Sequence, residues 1–211
     1  MSDRGVLPLP VMDGLALDRH HRAVLRPDEL LEDLDGRARR LPRFFYEVDS
    51  WQTAQQVQVA PDFSLWEFLT VDVREADPLR TFPRYVPCAV TALAAHLQIF
   101  RDAVGTFVHI SANGGYRSPS HRLTTYASTH CWGTAANIYK VGDDYLDSQE
   151  KIERYAKIAQ KSLPGWWARP YGSEKGFADD HLHLDLGYLL LVPREAPSER
   201  ACGANEADEK G

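Results

Sequence analysis

Between Asp180 and Leu186 the chain reads Asp-His-Leu-His-Leu-Asp-Leu, with polar and apolar residues in strict alternation. Successive side chains of a strand point to opposite faces, so His181, His183 and Asp185 share one face and Leu182, Leu184 and Leu186 the other. The run from Asp180 to Leu191 therefore predicts a half-buried strand. Its apolar face packs on a core, and its polar face gathers two imidazoles and a carboxylate.

Such a strand needs partners, and the chain offers them upstream. Thr106 to Ser111 is β-branched and aromatic and runs into the turn-forming Ala112-Asn113-Gly114-Gly115, while Gly133 to Val141 is a second strand candidate. Two segments have helical period. Val86 to Val104 sets Val90, Leu93, Ala94, Leu97 and Phe100 on one stripe with Gly105 in the C-cap position, and His96 reads as a helix-face histidine. Ser148 to Lys161 sets Ile152, Tyr155, Ile158 and Ala159 on another, with Glu150 and Glu153 near its start favouring the helix dipole. Residues 1–60, rich in Pro, Arg and Asp, read as an arm packed on the domain, with a weak helical pattern around Pro27 to Leu34. Residues 61–192 read as the domain proper, and 193–211 as a flexible polar tail.

Bulk properties exclude several classes of function. With 211 residues and 26% charged, the chain has the composition of an ordinary globular protein of one domain. A net charge of -6 and a single short Arg cluster, Arg37 to Arg43, argue against a nucleic-acid partner. No apolar run approaches the ~18 residues of a membrane helix, so membrane insertion is not expected. The first thirty residues hold no signal-peptide core. Cys88, Cys131 and Cys202 form neither a CxxC nor an even framework, which fits a reducing, cytoplasmic setting.

Chemistry concentrates in three places. Zinc takes neutral imidazoles and usually a carboxylate, with one position open when the site is catalytic. His130, in Ser128-Thr129-His130-Cys131-Trp132-Gly133, Asn137 seven residues later, and His183 are the candidate ligands. Asp180, three residues before His183, is placed to act as general base. Each also has a purely structural reading: His130 as a turn histidine, His181 and His183 on a solvent face, Asp180 in a loop, Arg117 in a surface ion pair, Asn137 as an amide bonding backbone.

The order of these motifs is what carries further. Tyr116-Arg117-Ser118-Pro119 with His121, then Ser128-x-His130-x-x-Gly133-x-Ala135-Ala136-Asn137, then Asp180-His181-x-His183-x-Asp185, resembles the signature of the LAS zinc peptidases. That group includes D-alanyl-D-alanine carboxypeptidases, vancomycin-resistance dipeptidases and phage endolysins, and the hedgehog signalling domain shares its fold. The resemblance runs from about Phe63 to Leu190, and Phe63-Ser-Leu-Trp-Glu-Phe68 is similar to the opening of many members.

This resemblance implies an α+β fold in which a small antiparallel sheet carries the metal site and packs against helices. It implies that His130 and His183 bind zinc, with Asn137 where the family has Asp. Asp180 becomes the base, Arg117 steadies the oxyanion or a substrate carboxylate, His181 sits beside the metal, and Ser128 and Tyr116 line the substrate site. The implied activity is zinc-dependent hydrolysis of a small peptide or amide, including peptidoglycan-type peptides with D-residues. Two readings compete: a catalytically impaired binding module of the same fold, owing to Asn137 at the Asp ligand position, and an intracellular enzyme of that fold acting on another amide or peptide.

Overall fold

The computed structural model describes residues 7–174 and 177–197. The N-terminal segment is built into the domain. Strand β1 (Val11–Asp13) leads to helix α1 (Arg19–Leu25), whose first turn is capped by the Asp18 carboxylate accepting from the His20 and His21 amides. The helix stops at Arg26, which turns left-handed with φ 49°, because Pro27 disfavours a helical residue before it. The helical pattern expected around Pro27 to Leu34 is therefore absent, and a hairpin of β2 (Leu30–Glu32) and β3 (Ala38–Arg40) takes its place.

Strand β4 (Phe44–Glu47), helix α2 (Trp51–Gln56) and the short pair β5 (Gln58–Ala60) and β6 (Phe63–Ser64) follow. Next come β7 (Tyr85–Pro87) and helix α3 (Val90–Val104), which ends at Gly105 with φ 67°. Strands β1, β4 and β7 form one antiparallel sheet, so the N-terminal segment supplies two of its three strands. Leu25, Phe45 and Val48 accordingly join Phe68, Leu93, Leu97, Ile138 and Leu182 in one core.

The second sheet has β9 (Ala135–Val141) at its hub. It bonds β8 (Val108–Ile110), β10 (Asp144–Tyr145) and β12 (Leu182–Asp185), and β12 also pairs with β11 (Trp167–Ala168). Helix α4 (Gln149–Ser162) covers the sheet with Ile152, Tyr155 and Ala159. The whole is a mixed α and β architecture of small antiparallel sheets with four α-helices among the described residues.

Register positions the site. Leu182 faces Ile138 and Leu184 faces Ala136 across the β9–β12 ladder, all four without solvent exposure. A slip by one residue would move both leucines off the core and onto the polar face that His183 and Asp185 occupy, and burial in the core is worth roughly 1.5–3 kcal/mol for each. With that register locked, His183 must stand directly opposite Asn137 on the other face. The predicted strand over Asp180 to Leu191 is real only from Leu182 to Asp185, since Gly187 turns left-handed with φ 72° and carries the chain off the sheet.

Three of the four arginines between 37 and 43 enter local ion pairs: Arg39 with Asp33, Arg40 with Asp28, and Arg43 with Asp13. No helix among the described residues is long and apolar enough to cross a membrane. Cys88 and Cys131 are buried free thiols, pushed up by burial to about 12 and about 11. Cys202 and most of the predicted tail lie outside the described residues.

Candidate metal centre and substrate cleft

The Asn113-Gly114-Gly115 turn is the foundation of the site. Asn113 takes a left-handed φ of 57°, and its side chain accepts from the Asp72 amide at 3.0 Å. A Cβ on Gly115 would lie 2.3 Å from the Phe68 carbonyl oxygen, so only glycine permits this approach. The turn then delivers two contacts. The Asn137 amide donates to the Gly114 carbonyl at 2.7 Å, and the Gly115 carbonyl accepts from His130 Nδ1 at 2.7 Å.

His130 lies on a 3-10 turn, Thr129–Trp132, closed by Gly133 at φ 68°. Because its Nδ1 proton goes to Gly115, Nε2 carries a lone pair, and that nitrogen is buried without any hydrogen-bond partner. Burial, then the Arg117 charge, holds its pKa well below the ordinary value, so the ring is neutral. A neutral imidazole with one nitrogen anchored to backbone and the other bare is the usual state of a ligand before metal arrives.

His183 is held from both sides. Nε2 lies 2.9 Å from Asp185 Oδ2, and Nδ1 lies 2.8 Å from Asn137 Oδ1. Burial pushes its pKa down to about 4, so it carries one proton at neutral pH. The Asp185 carboxylate can only accept, which puts that proton on Nε2. The Nδ1 lone pair therefore faces the lone pairs of an amide oxygen. Three arrangements reconcile them: a half-turn of the Asn137 amide, a second proton on the ring, or a cation shared by both atoms. The His130 and His183 rings are 5.1 Å apart by centroid and nearly perpendicular.

The other predicted residues separate into groups. Arg117 is buried, and its Nη2 makes a long 3.5 Å contact with Ser128 Oγ. Its turn is fixed by Glu75, which accepts from the Ser118 amide and hydroxyl at 3.0 and 2.6 Å. His181 Nδ1 lies 2.5 Å from Asp180 Oδ1, while its Nε2 is buried and unpartnered. The Asp180 side chain itself is 81% exposed, so it touches the site through His181 rather than directly.

Tyr116, expected to line the substrate site, is turned into the core. Its amide is tied to the Phe68 carbonyl at 2.8 Å by the same close approach that requires Gly115, and its hydroxyl is buried without a partner. His121 is structural: it accepts from the Leu123 amide and reaches Asn113 Oδ1, both at 3.1 Å.

Beside the imidazoles opens a cleft of about 340 Å³ lined by Asp33, Arg39, Ser128, Trp167, Arg169 and Tyr188. Most of these have no role that a sequence motif would assign. The β2–β3 hairpin supplies one wall, clamped by the Ala127 amide donating to the Glu32 carbonyl at 2.7 Å and by Trp132 Nε1 donating to the Arg40 carbonyl at 2.9 Å. Trp167 stands edge-on to His183 at 5.8 Å. Arg169 follows it, its amide bonded to the His183 carbonyl at 3.0 Å.

Among the described residues no three His, Cys, Asp or Glu side chains group so as to hold a metal ion, and the candidate set is two imidazoles and an amide. Comparisons with protein-family models, curated proteins and solved structures return no match for this chain.

Proposed function

We propose that the cleft is a zinc-dependent hydrolase site for a small peptide or amide, in a domain of the hedgehog/DD-peptidase type spanning about Phe63 to Leu190. One observation carries the reading. His130 Nε2 is buried with no hydrogen-bond partner, and the neighbouring ring of His183, 5.1 Å away by centroid, turns its Nδ1 lone pair to the Asn137 amide oxygen at 2.8 Å. Neutral nitrogen and oxygen donors of this kind suit zinc, and Asp185 on His183 and the Gly115 carbonyl on His130 are the outer contacts that orient such ligands. When bound, zinc would polarise the scissile carbonyl.

The remaining work falls to the chain's own side chains. His181 Nε2 accepts the proton of the attacking water, with Asp180 holding Nδ1 and so the correct tautomer. Arg117, buried beside Ser128, stabilises negative charge that develops on the carbonyl oxygen. Substrate enters beside Trp167 and Ser128, and the volume of the cleft suits a ligand the size of a dipeptide rather than a folded chain. Peptides ending in D-alanine are the first to test. The buried free thiols fit a cytoplasmic setting, where such a substrate is a small internal peptide or amide.

A second reading, a binding module, is favoured by the same Asn137. A half-turn of its amide lets N–H donate to His183 Nδ1 and closes the pair without metal. Elemental analysis of the purified chain separates the two. One zinc per chain, removed by chelator together with hydrolysis of D-alanyl peptides, supports the enzyme. Metal-free protein with an intact fold that is thermally protected by such peptides without cutting them supports the module.

A further inference from the structure

One end of the second sheet carries a row of aromatic rings that the candidate metal centre does not use. On β8, Phe107 stacks on His109 with 6.2 Å between centroids, His109 meets Tyr139 of β9 at 6.0 Å, and Tyr139 meets Tyr145 of β10 at 6.3 Å. Phe107, Tyr139 and Tyr145 are 61%, 38% and 56% exposed, while Val108 and Val141 of the same strands are buried in the core. A sheet with one buried face normally sets polar residues on the other, so a run of rings in water marks a surface that meets a ligand. Burial first, then the Lys140 and Arg101 charges, holds the His109 pKa below its ordinary value, so this ring is neutral at pH 7 as well.

Two surface depressions meet at His109. One, of about 470 Å³, runs past Tyr139 to Trp66, Glu67 and Thr70, and the other, of about 540 Å³, runs past Phe107 to Asp143 and Asp144. Neither shares a lining residue with the cleft beside the imidazoles. Carboxylates stand at both ends. Glu67 uses Oε1 to accept from the Ser64 amide at 2.8 Å and makes no other hydrogen bond. Asp143 has no side-chain partner among the described residues, since Arg154 is paired with Asp144 and Lys151 with Asp147. The nearest cations lie over rings, Arg101 at 4.8 Å from the Phe107 centroid and Lys140 at 5.0 Å from that of Tyr145.

A ligand for this groove must offer flat apolar faces to the rings and hydrogen-bond donors to the carboxylates. Single-stranded nucleic acid has the faces, but the proteins that hold it set their rings in a basic groove. Here Glu67, Asp143 and Asp144 offset Arg101 and Lys140 in a chain of net charge -6. A proline-rich strand also has apolar faces, yet its prolines lack N–H and would leave the carboxylates without donors. Sugars meet both demands, because the C–H face of a pyranose is apolar and each hydroxyl donates as well as accepts. We propose that Phe107, His109, Tyr139 and Tyr145 form the floor of a groove that binds an extended, neutral oligosaccharide of the cellulose or chitin kind, its pyranose faces on the rings and its hydroxyls donating to Glu67 and Asp143. An extended chain can follow the row from ring to ring, whereas a curled one of the starch kind leaves it after one or two. The groove is separate from the proposed hydrolase site and does not depend on metal.

Calorimetric titration of the full chain in chelator tests this, with cellohexaose and chitohexaose as extended probes and maltohexaose as the curled one. At least one extended sugar should bind, with an affinity that barely changes between low and high salt, and maltohexaose should bind about tenfold more weakly or not at all. Tyr139→Ala and Tyr145→Ala should each weaken the extended sugar about tenfold, the contribution of one stacked ring. Trp51→Ala removes an exposed ring outside the groove and should change nothing. Silence of both extended sugars overturns the proposal, as does binding that survives Tyr139→Ala and Tyr145→Ala undiminished while far-UV dichroism stays native. Equal binding of maltohexaose overturns the extended-chain assignment. Binding of decaproline or of a deoxythymidine decamer with the sugars silent gives the groove to that ligand and overturns the sugar.

Discussion

Replacing Asn137 by Asp tests the electrostatics of the site through a proton rather than a metal. In the native chain His183 is buried and its pKa is depressed from 6.5 to about 4, chiefly by burial. A base with a depressed folded pKa gives stability that is fully present above the unfolded value and is lost as pH falls, because the unfolded chain takes up a proton that the folded chain refuses. The window runs from pH 6.5 to about pH 4. At about 1.4 kcal/mol per pH unit, the loss attributable to His183 is about 3 kcal/mol.

The Asn137→Asp substitution reverses this. The ring would lie between two carboxylates, that of Asp185 on Nε2 and the introduced one on Nδ1, and the imidazolium would satisfy both. The folded pKa rises, and the acid-dependent loss shrinks or changes sign. Urea denaturation of both proteins in chelator, at intervals of about half a pH unit across that window, reads the effect as a difference. Carboxylates elsewhere titrate alike in both chains and cancel. The stability difference between variant and parent should move by about 3 kcal/mol in favour of the variant as the pH falls through the window. Parallel curves would mean that residue 137 does not face His183 Nδ1, and the shared-donor argument for the site would go with it.

Three further outcomes are expected. His130→Ala and His183→Ala should each abolish stoichiometric zinc binding with near-native far-UV dichroism, and full zinc content in either variant removes that residue from the ligand set. Gly115→Ala forces a Cβ to within 2.3 Å of the Phe68 carbonyl oxygen, so denaturant titration should show a loss of roughly 1–3 kcal/mol. Zinc affinity should fall too, since the Gly115 carbonyl anchors His130, and unchanged affinity would contradict that anchoring role. Asp180→Asn should lower kcat roughly 10²–10⁴-fold with metal content unchanged, whereas loss of metal would make Asp180 a ligand.

The parts of this architecture legible in sequence are those set by local period. The stripe Val90, Leu93, Ala94, Leu97 and Phe100 predicts α3, and Gly105 its end. Alternation from Asp180 predicts a strand and sets His183 on the face opposite Leu182 and Leu184, but it predicts neither the strand's end at Asp185 nor the burial of both its faces. What cannot be read depends on distant segments. Nothing local in Leu30 to Arg40 says that it will wall the cleft, because its partners Ala127, Trp132 and Tyr188 lie about ninety or more positions downstream. The motif assigns Tyr116 to the substrate site, and its turn into the core follows from the Gly115–Phe68 approach, which no motif encodes. The two histidines of the strand look equivalent in sequence. Their difference lies in their neighbours: His183 stands between Asp185 and Asn137, whereas His181 bonds Asp180 alone and keeps its Nε2 without a partner.

Asn137 also sets the charge of the proposed donor set. An amide oxygen is a neutral and poorer donor than a carboxylate, so a set of two imidazoles and an amide would hold zinc less firmly than one completed by Asp. Asn137→Asp should therefore tighten zinc in competitive chelator titration, while the same substitution raises the His183 pKa in chelator. A general disruption of the site would weaken zinc binding and leave the stability curves parallel. Equal or weaker zinc affinity in the variant would mean that residue 137 does not face the metal, whatever it does to the proton on His183.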